Sequence, residues 1–428
     1  MVDILGYISV QPDWTVDIKN ALNSAEGPHQ FWASAYKQNQ QSIHDTIQVS
    51  KDPSSSESTT LVSLTSQEIS AEFIDTRHVR LSNTKLDIPP TLYTAPKKTA
   101  NCSRITRKSG ISCFDVSPLG GLLVACGDEG RMDVYEVQSG NIHRVELVGH
   151  LGDVTCCRFF PSGQVVLSGA TDMRLRVWSA SDGTNPVTMT GHTGAITDLG
   201  IVSRGRNVVS SAKDGAVRLW HCGSGSTIHT FALSAMPVNK IDIATNKQVE
   251  EAEQGQLDNE FETKGKILAA ACEDGRAVLL DLCTKQVIAE LGALGDTPVR
   301  ALAYDVASNR VYTGLSNGAV CVWDIDESTS APVYSFMRNG SAISAIRLVF
   351  RSNESAPLVC VGTEDGQLYL ASLETQAGGK IVKASVVEEL VAFDVDPVSQ
   401  IRVLPSNTEG IQRQSIWASG RDNKAYEF

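Results

Sequence analysis

The sequence predicts an all-β fold, a seven-bladed β-propeller, with a small N-terminal α/β appendage before it. Three observations lead to this prediction. Two stretches of chain carry the same four residues at the same offsets, a shorter spacing recurs along the chain, and one repeating unit divides clearly into four short strands separated by turns. Units of about 40 residues with four strands each bury both sheet faces when they close radially into a ring.

The two matching stretches are residues 149–178, GHLGDVTCCRFFPSGQVVLSGATDMRLRVW, and residues 191–220, GHTGAITDLGIVSRGRNVVSSAKDGAVRLW. Each has a histidine, a serine 18 residues later, an aspartate 4 residues after the serine, and a tryptophan 6 residues after the aspartate. The members are His150, Ser168, Asp172 and Trp178 in the first stretch and His192, Ser210, Asp214 and Trp220 in the second. Identical offsets indicate two copies of one structural unit.

The shorter spacing places an acid or amide six residues before a large or apolar residue. Besides the two full copies it occurs as Glu129 with Tyr135, Asp274 with Leu280, Asn317 with Trp323, Asp365 with Ala371, and Asp422 with Phe428. We call the acid or amide of each pair, including Asp172 and Asp214, the anchor of its unit. The seven anchors lie 43, 42, 60, 43, 48 and 57 residues apart, so the fourth, sixth and seventh units carry extra length. Seven units are therefore expected.

The four strands can be followed in the second unit. VTCCRFF, QVVLSGA, RLRVWSA and PVTMTG alternate with the turns PSG, TDM and SDGT. The alternation of apolar residues and the content of β-branched side chains favour strands over helices.

The repeated histidine, serine and aspartate could also be taken for a hydrolase triad. A hydrolase needs one triad with an exposed nucleophile, whereas this set occurs twice inside apolar strands. We therefore predict a structural role: the carboxylate accepts from the imidazole, the imidazole pairs with the serine, and the serine accepts from the indole N–H. Trp323 is assigned the same structural role in the fifth unit. A propeller hydrolase remains the weaker alternative.

The predicted domains are residues 1–98, an N-terminal module with a linker and a ring-closing strand, and residues 99–428, the propeller. The last unit, with SIWASG and DNKAYEF, lacks an outer strand, and the strand-like segments within residues 59–95 are the candidates to complete it. Near the start, Trp14, Ile18 and Leu22 have helical spacing after Pro-Asp, and Trp32 and Tyr36 are expected to extend that apolar face. Residues 51–60 are a predicted linker, and residues 249–262 a solvated acidic loop.

Composition limits the functional classes. The chain of 428 residues has 37 basic and 49 acidic residues, a formal charge of −12, which disfavours nucleic acid and favours a basic partner. None of the ten cysteines forms a C-x-x-C pair, and we found no metal or phosphate motif, so no cofactor or metal is expected. Without a signal-like or membrane-spanning segment, a cytoplasmic and nuclear monomer is expected.

The Gly-His, strand serine, turn aspartate and strand tryptophan pattern resembles the WD-repeat family. The runs CCRFFPSGQVVLSGATDMRLRVWSA and RGRNVVSSAKDGAVRLWHCG, with PDW near the start, resemble more specifically the proteasomal ATPase-associated factor family, most strongly over residues 100–235. This resemblance implies a non-enzymatic assembly chaperone. Its partner would be the C-terminal domain of one ATPase subunit of the proteasome regulatory particle, bound before the base is complete.

WD-repeat proteins usually bind partners on the face formed by the second-to-third strand turns and the loops between blades. Six acidic residues are predicted at these places: Asp128, Asp153, Glu273, Asp296, Glu364 and Asp396. On one rim they would form a negative arc that attracts lysines and arginines, although acids are also common in turns for local reasons. The competing function is that of an adaptor or substrate receptor of another complex, such as a ubiquitin ligase.

Overall fold

The computed structural model describes residues 2–23, 29–51, 62–102, 104, 110–137, 142–246, 260–292, 295, 297–327, 329–351, 356–376, 379–408 and 411–428. Strands dominate the described residues, which contain a single α-helix and one short 3-10 turn at Asp128–Gly130. The predicted all-β class is therefore confirmed.

The N-terminal part of the chain contains nine strands and the helix. They are β1 (Asp3–Ile4), β2 (Tyr7–Val10), α1 (Trp14–Asn23), β3 (His29–Tyr36), β4 (Ile43–Lys51), β5 (Val62–Thr65), β6 (Ser70–Asp75), β7 (His78–Asn83), β8 (Ile88–Thr94) and β9 (Lys98–Asn101). Strands β2 to β5 form one sheet in chain order, and α1 packs against β3, β4 and β5.

The helix predicted after Pro-Asp is confirmed, because Trp14 and Ile18 are fully buried in the core of this module and Leu22 packs beside them. The prediction for Trp32 and Tyr36 is wrong, since both lie on strand β3. Along β3 the odd residues from Phe31 to Ala35 are buried in the core, while Trp32 points outward and is 41% exposed.

The propeller contains seven blades of four antiparallel strands, labelled a to d from the axis outward. Strands a to d are β10 (Cys113–Val116), β11 (Leu122–Cys126), β12 (Met132–Glu136) and β13 (Ile142–Glu146) in blade one; β14 (Val154–Phe159), β15 (Val165–Ala170), β16 (Leu175–Ser179) and β17 (Val187–Met189) in blade two; β18 (Ile196–Val202), β19 (Asn207–Ala212), β20 (Ala216–His221) and β21 (Thr227–Ala232) in blade three; and β22 (Val238–Thr245), β23 (Lys266–Cys272), β24 (Ala277–Asp281) and β25 (Val287–Leu291) in blade four.

The remaining blades continue the pattern. Blade five has β26 (Val299–Asp305), β27 (Arg310–Leu315), β28 (Ala319–Asp324) and β29 (Tyr334–Met337); blade six has β30 (Ile343–Val349), β31 (Leu358–Thr363), β32 (Leu368–Thr375) and β33 (Ile381–Leu390); and blade seven has β34 (Gln400–Thr408), β35 (Ile411–Ser419) and β36 (Lys424–Glu427) as strands a to c.

The a strands follow one another around the axis. Each contacts the a strand of the next blade, and β34 of blade seven contacts β10 of blade one. At this junction the Arg402 Nε donates to the Asp115 carboxylate at 2.7 Å, and the Phe114 amide donates to the Gln400 side chain at 3.1 Å. The predicted seven-bladed propeller is therefore present.

The outer strand of blade seven comes from the N-terminal part of the chain. Strand β9 pairs antiparallel with β36, and buried Ala100 lies opposite buried Ala425. Residue 98, the predicted domain boundary, is the first residue of β9. The segments within residues 59–95 were therefore the wrong choice for the closing strand.

Those segments instead attach the N-terminal module to the propeller. Strands β6, β7 and β8 extend the sheet of blade six, where β8 pairs in parallel with β33. Strand β1 adds to the outer strand β29 of blade five in the same way. The module is thus joined to two adjacent blades by continuous sheets.

Residues 52–60 of the predicted linker and residues 249–259 of the predicted acidic loop lie outside the described residues. The end of the acidic segment is described and is not solvated as predicted. Glu260 is buried and pairs with Lys285 at 2.5 Å, and Glu262 accepts a hydrogen bond from the Arg204 amide. These contacts tie the segment back onto blades three and four.

Candidate functional site

The duplicated histidine, serine and aspartate form a buried hydrogen-bond chain in blade two. The His150 Nδ1 lies 2.9 Å from the Asp172 carboxylate, and its Nε2 lies 2.7 Å from the Ser168 hydroxyl. The Trp178 indole N–H donates to the same hydroxyl at 2.8 Å. With a proton on Nδ1, the imidazole donates to the carboxylate and accepts from the serine, so every group in the chain has a partner.

Blade three repeats this geometry with corresponding distances of 2.8, 2.8 and 2.9 Å among His192, Asp214, Ser210 and Trp220. Burial lowers the pKa of His192, which favours its neutral form. Burial acts to raise the pKa of Asp214, but hydrogen bonds from the Thr193 amide and the His192 imidazole outweigh it, and the pKa is lowered. The chain therefore ends in an ionised carboxylate beside a neutral imidazole.

The order of contacts matches a hydrolase triad, but the serines are inaccessible. Ser168 and Ser210 are 0% exposed, and each hydroxyl is already held between an imidazole and an indole. A nucleophile has to reach substrate. We therefore expect these sets to stabilise their blades, and Trp323 in blade five to do the same, since its indole N–H donates to the Thr313 hydroxyl at 2.9 Å.

The turn between strands b and c has one local design in all seven blades. The residue after each anchor has a positive φ, and it is glycine in five blades, Met173 in blade two (φ 64°) and Asn423 in blade seven (φ 60°). In five blades the anchor side chain also accepts a hydrogen bond from the amide two residues later. Left-handed backbone suits glycine, so Met173 is strained where it stands.

These turns lie beside the loops that lead from strand d into the next strand a. The amides of Thr171, Glu273 and Glu364 donate to backbone carbonyls of Asp153, Pro237 and Ala342 in such loops. We call the face formed by the b–c turns and d–a loops the rim face. The described residues of the predicted acidic set all lie on it.

Three of these acidic residues already have partners within the protein. Asp153 accepts a hydrogen bond from the Glu129 amide at 2.9 Å, and Asp128 sits half-buried in the 3-10 turn, where it also has an interaction. Glu273 accepts from Asn239 at 2.7 Å and pairs with Arg300 at 3.1 Å. Part of the negative charge of these residues is therefore compensated by contacts within the protein.

Glu364 and Asp396 differ from those three. Glu364 is exposed and Asp396 is half-buried, and neither side chain makes a hydrogen bond or ion pair with any described residue. Exposed Asp394, which sequence reasoning missed, is also unpaired in the described structure. Asp296 lies outside the described residues. The uncompensated negative charge of the set is therefore at blades six and seven.

Sequence reasoning also missed the apolar character of the rim face. Five large apolar side chains are exposed there: Val148, Leu151, Met173, Met236 and Val395. Leu151 and Val395 are 81% and 76% exposed. In the described a–b connections of the opposite face, Leu119 and Phe350 are exposed. Exposed apolar residues among acidic ones are typical of a surface that contacts another protein.

Three buried cysteines are the residues that could hold a soft metal ion. The sulfurs of Cys113, Cys126 and Cys157 all lie within 4.8 Å of one another in the core between blades one and two. Burial opposes ionisation of all three, and hydrogen bonds from Cys126 and Cys157 lower the pKa of Cys113 alone, while the pKa values of the other two are raised. All three are buried among apolar residues, where a free cysteine behaves as a small hydrophobic side chain.

Among the described residues, no helix is long and apolar enough to cross a membrane. The family model "WD domain, G-beta repeat" matches residues 142–179 and 183–221, which contain every residue of the two duplicated sets. This match agrees with the hydrogen-bond chains found in blades two and three.

Several known proteins are similar to this chain. "Probable proteasomal ATPase-associated factor 1" of Dictyostelium discoideum is 31% identical over 96% of this chain and 95% of its own length. "26S proteasome regulatory subunit RPN14" of Saccharomyces cerevisiae is 36% identical over 49% of this chain and 52% of its own length. "Proteasomal ATPase-associated factor 1" of Homo sapiens is 51% identical over 14% of this chain and 15% of its own length. The similarity to the Dictyostelium protein spans nearly both chains, and we conclude that this chain belongs to the proteasomal ATPase-associated factor family.

Proposed function

We propose that the protein is a non-catalytic assembly chaperone that binds the C-terminal domain of an ATPase subunit of the proteasome regulatory particle while the base is assembled. The observation that carries the proposal is the rim face, where uncompensated carboxylates and exposed apolar side chains occur together on a family member of this kind. The protein would be a monomer when free and would act in the cytoplasm and nucleus by binding this partner.

The charge on the rim face supports a basic partner. Glu364, Asp394 and Asp396 have no basic partner among the described residues, and the whole chain carries a formal charge of −12. Complementary charge of this kind accelerates association and selects the partner more than it adds affinity. Binding should therefore weaken as salt concentration rises.

The apolar side chains would supply affinity. Leu151 and Val395 are among the most exposed large apolar residues of the described structure, and they lie in loops leading into blades two and seven. Burying one such side chain contributes roughly 1.5 to 3 kcal/mol. A partner that covers both would span much of the rim face, which fits an interface of about 800 Å² on each partner.

The test is calorimetric titration of the full chain with isolated ATPase C-terminal domains. Glu364→Lys with Asp396→Lys should weaken binding at low salt and leave the melting temperature unchanged, because neither side chain makes a hydrogen bond or ion pair with a described residue. Glu327→Lys is the matched control, since Glu327 is exposed in the c–d connection of blade five, on the opposite face, and its side chain has no described partner. Equal affinity of the double variant and wild type would reject recognition through the acidic residues of the rim face.

Affinity purification separates this function from that of an adaptor in another complex. Under the proposal, the full chain recovers base subunits of the regulatory particle, and Leu151→Asp reduces that recovery. Recovery of a cullin-type ligase scaffold without base subunits would instead support the adaptor.

A further inference from the structure

A groove separates the N-terminal module from the rim face at blade six. It has a volume of about 250 Å³. One wall is the edge strand β2, which pairs on one side only, with β3. The other wall consists of the blade-six b–c turn at Asp365–Leu368 and the loop that contains Asp394 and Val395. The groove therefore opens on the same face as the acidic residues.

The floor of the groove is rigid. Arg338 and Glu389 form a buried ion pair there, and the Arg338 guanidinium stacks over the rings of Tyr7 at 5.1 Å and Tyr369 at 4.0 Å. Tyr7 in turn stacks on Tyr36 with ring centroids 5.3 Å apart. The Arg338 Nε–H has no acceptor within the described structure, so the groove wall retains a buried donor. These contacts hold an aromatic and polar surface in place before any partner arrives.

The charge around the groove is negative and uncompensated. Asp365 accepts hydrogen bonds only from the uncharged side chains of Asn339, Thr363 and Gln367, so its charge is not neutralised. Asp394 lines the groove without any described partner, and Glu364 and Asp396 adjoin the lining residues in sequence. Arg338, the one cation that lines the groove among the described residues, is already paired with Glu389.

We propose that this groove receives an extended segment of the partner whose lysine or arginine side chain lies against Asp365 and Asp394. The inference rests on the proposed function and deepens it, because it assigns the N-terminal module a direct part in binding. A cation entering the groove meets the carboxylates of Asp365 and Asp394 on one wall, and the apolar stem of its side chain can pack against Tyr7 and Tyr36 on the other.

The occupant follows from charge and shape. A groove of this volume admits a few residues of extended chain, and its uncompensated carboxylates select a basic one over an acidic one. Val395 at the lip, 76% exposed, gives an apolar neighbour of that basic residue a surface to cover.

Site-specific photo-crosslinking tests the proposal with the full chain. A benzoylphenylalanine at position 395 should capture the ATPase C-terminal domain through a segment containing lysine or arginine, identified by mass spectrometry. The same label at Leu119, which is 89% exposed on the opposite face, should capture nothing above background. A label at Leu151 reports on the rim face away from the groove.

Charge reversal gives the second readout. Glu364→Lys with Asp394→Lys should weaken binding roughly 10-fold at low salt, against less than about 2-fold for the Glu327→Lys control. Both substituted side chains lack described contacts, so the melting temperature should stay at the wild-type value.

The outcomes distinguish the groove from the proposed function. Binding that survives the double reversal, with capture at position 151 and none at 395, overturns the groove and leaves the proposed function standing. Absence of binding between wild-type protein and every ATPase C-terminal domain overturns both.

Discussion

Replacing Ser168 with alanine tests the structural role of the duplicated sets. The hydroxyl accepts from the Trp178 indole at 2.8 Å and pairs with the His150 imidazole at 2.7 Å, and the side chains of His150 and Ser168 are fully buried, as is Trp178. Ser168→Ala leaves two buried polar groups unsatisfied. At roughly 1 to 3 kcal/mol each, the free energy of unfolding should fall by about 2 to 6 kcal/mol.

Urea unfolding followed by tryptophan fluorescence measures this loss. Ser181→Ala is the matched control in the same blade, because Ser181 is exposed, and it should change stability by less than about 0.5 kcal/mol. Ser210→Ala in blade three should cost a similar amount to Ser168→Ala. A Ser168→Ala protein as stable as the control, or a hydrolase activity lost with Ser168 alone, would refute the structural role.

Three further predictions follow from named contacts. Burial lowers the pKa of His192 below its ordinary 6.5, so the unfolded chain takes up a proton that the folded chain does not. The urea midpoint should therefore fall as the pH drops below about 6.5, and His192→Gln should make this fall smaller. A pH dependence that His192→Gln leaves unchanged would contradict the assignment. Ala100→Asp buries a charge in the strand that completes blade seven and should lower the free energy of unfolding by more than about 3 kcal/mol. Thr99→Asp, at an exposed position of the same strand, should change it by less than about 0.5 kcal/mol. Equal melting temperatures of the two variants would refute closure of the ring by β9. Met173→Gly removes the backbone strain of a left-handed residue and should stabilise the protein by about 1 kcal/mol in the same unfolding assay. The same variant should weaken partner binding in calorimetry. If it binds as well as wild type, Met173 is not in the interface.

The propeller could be predicted because its signals are local. The anchor and the residue after it define the b–c turn within two positions, and the histidine and serine recur at the same offsets in blades two and three because both blades bury the same hydrogen-bond chain. The helix at Trp14–Asn23 was predictable for the same reason, since its spacing and its start signal are contained in the helix itself.

The closing strand was not predictable because its pairing is remote. Strand β9 has the sequence KTAN, with one buried residue, and its partner β36 lies more than 300 residues along the chain. The error at Trp32 has a different cause, because an i to i+4 aromatic pair also satisfies the period of two of a strand. The small buried residues Ala33 and Ala35 carry the strand pattern there.

The acidic residues of the rim face could be predicted from residue type, but which of them have partners in the folded protein could not. Glu273 is neutralised by Arg300, 27 residues away, while Glu364 and Asp394 make no hydrogen bond or ion pair with any residue that the structure describes. The groove was invisible to sequence reasoning because its walls come from strand β2 and from blades six and seven, at opposite ends of the chain. An apolar residue in a polar loop, such as Leu151 after Gly-His, was the one signal that could have indicated the rim face as a contact surface.

The most direct test of the account is the affinity of the full chain for each isolated ATPase C-terminal domain of the regulatory particle, measured by calorimetry at low and at physiological salt. We expect one domain to bind with a dissociation constant in the micromolar range or tighter, which corresponds to a binding free energy on the order of −8 kcal/mol or better. Rising salt should weaken this binding. Failure of every domain to bind at low salt, or an affinity that does not change with salt, would contradict recognition through the acidic rim.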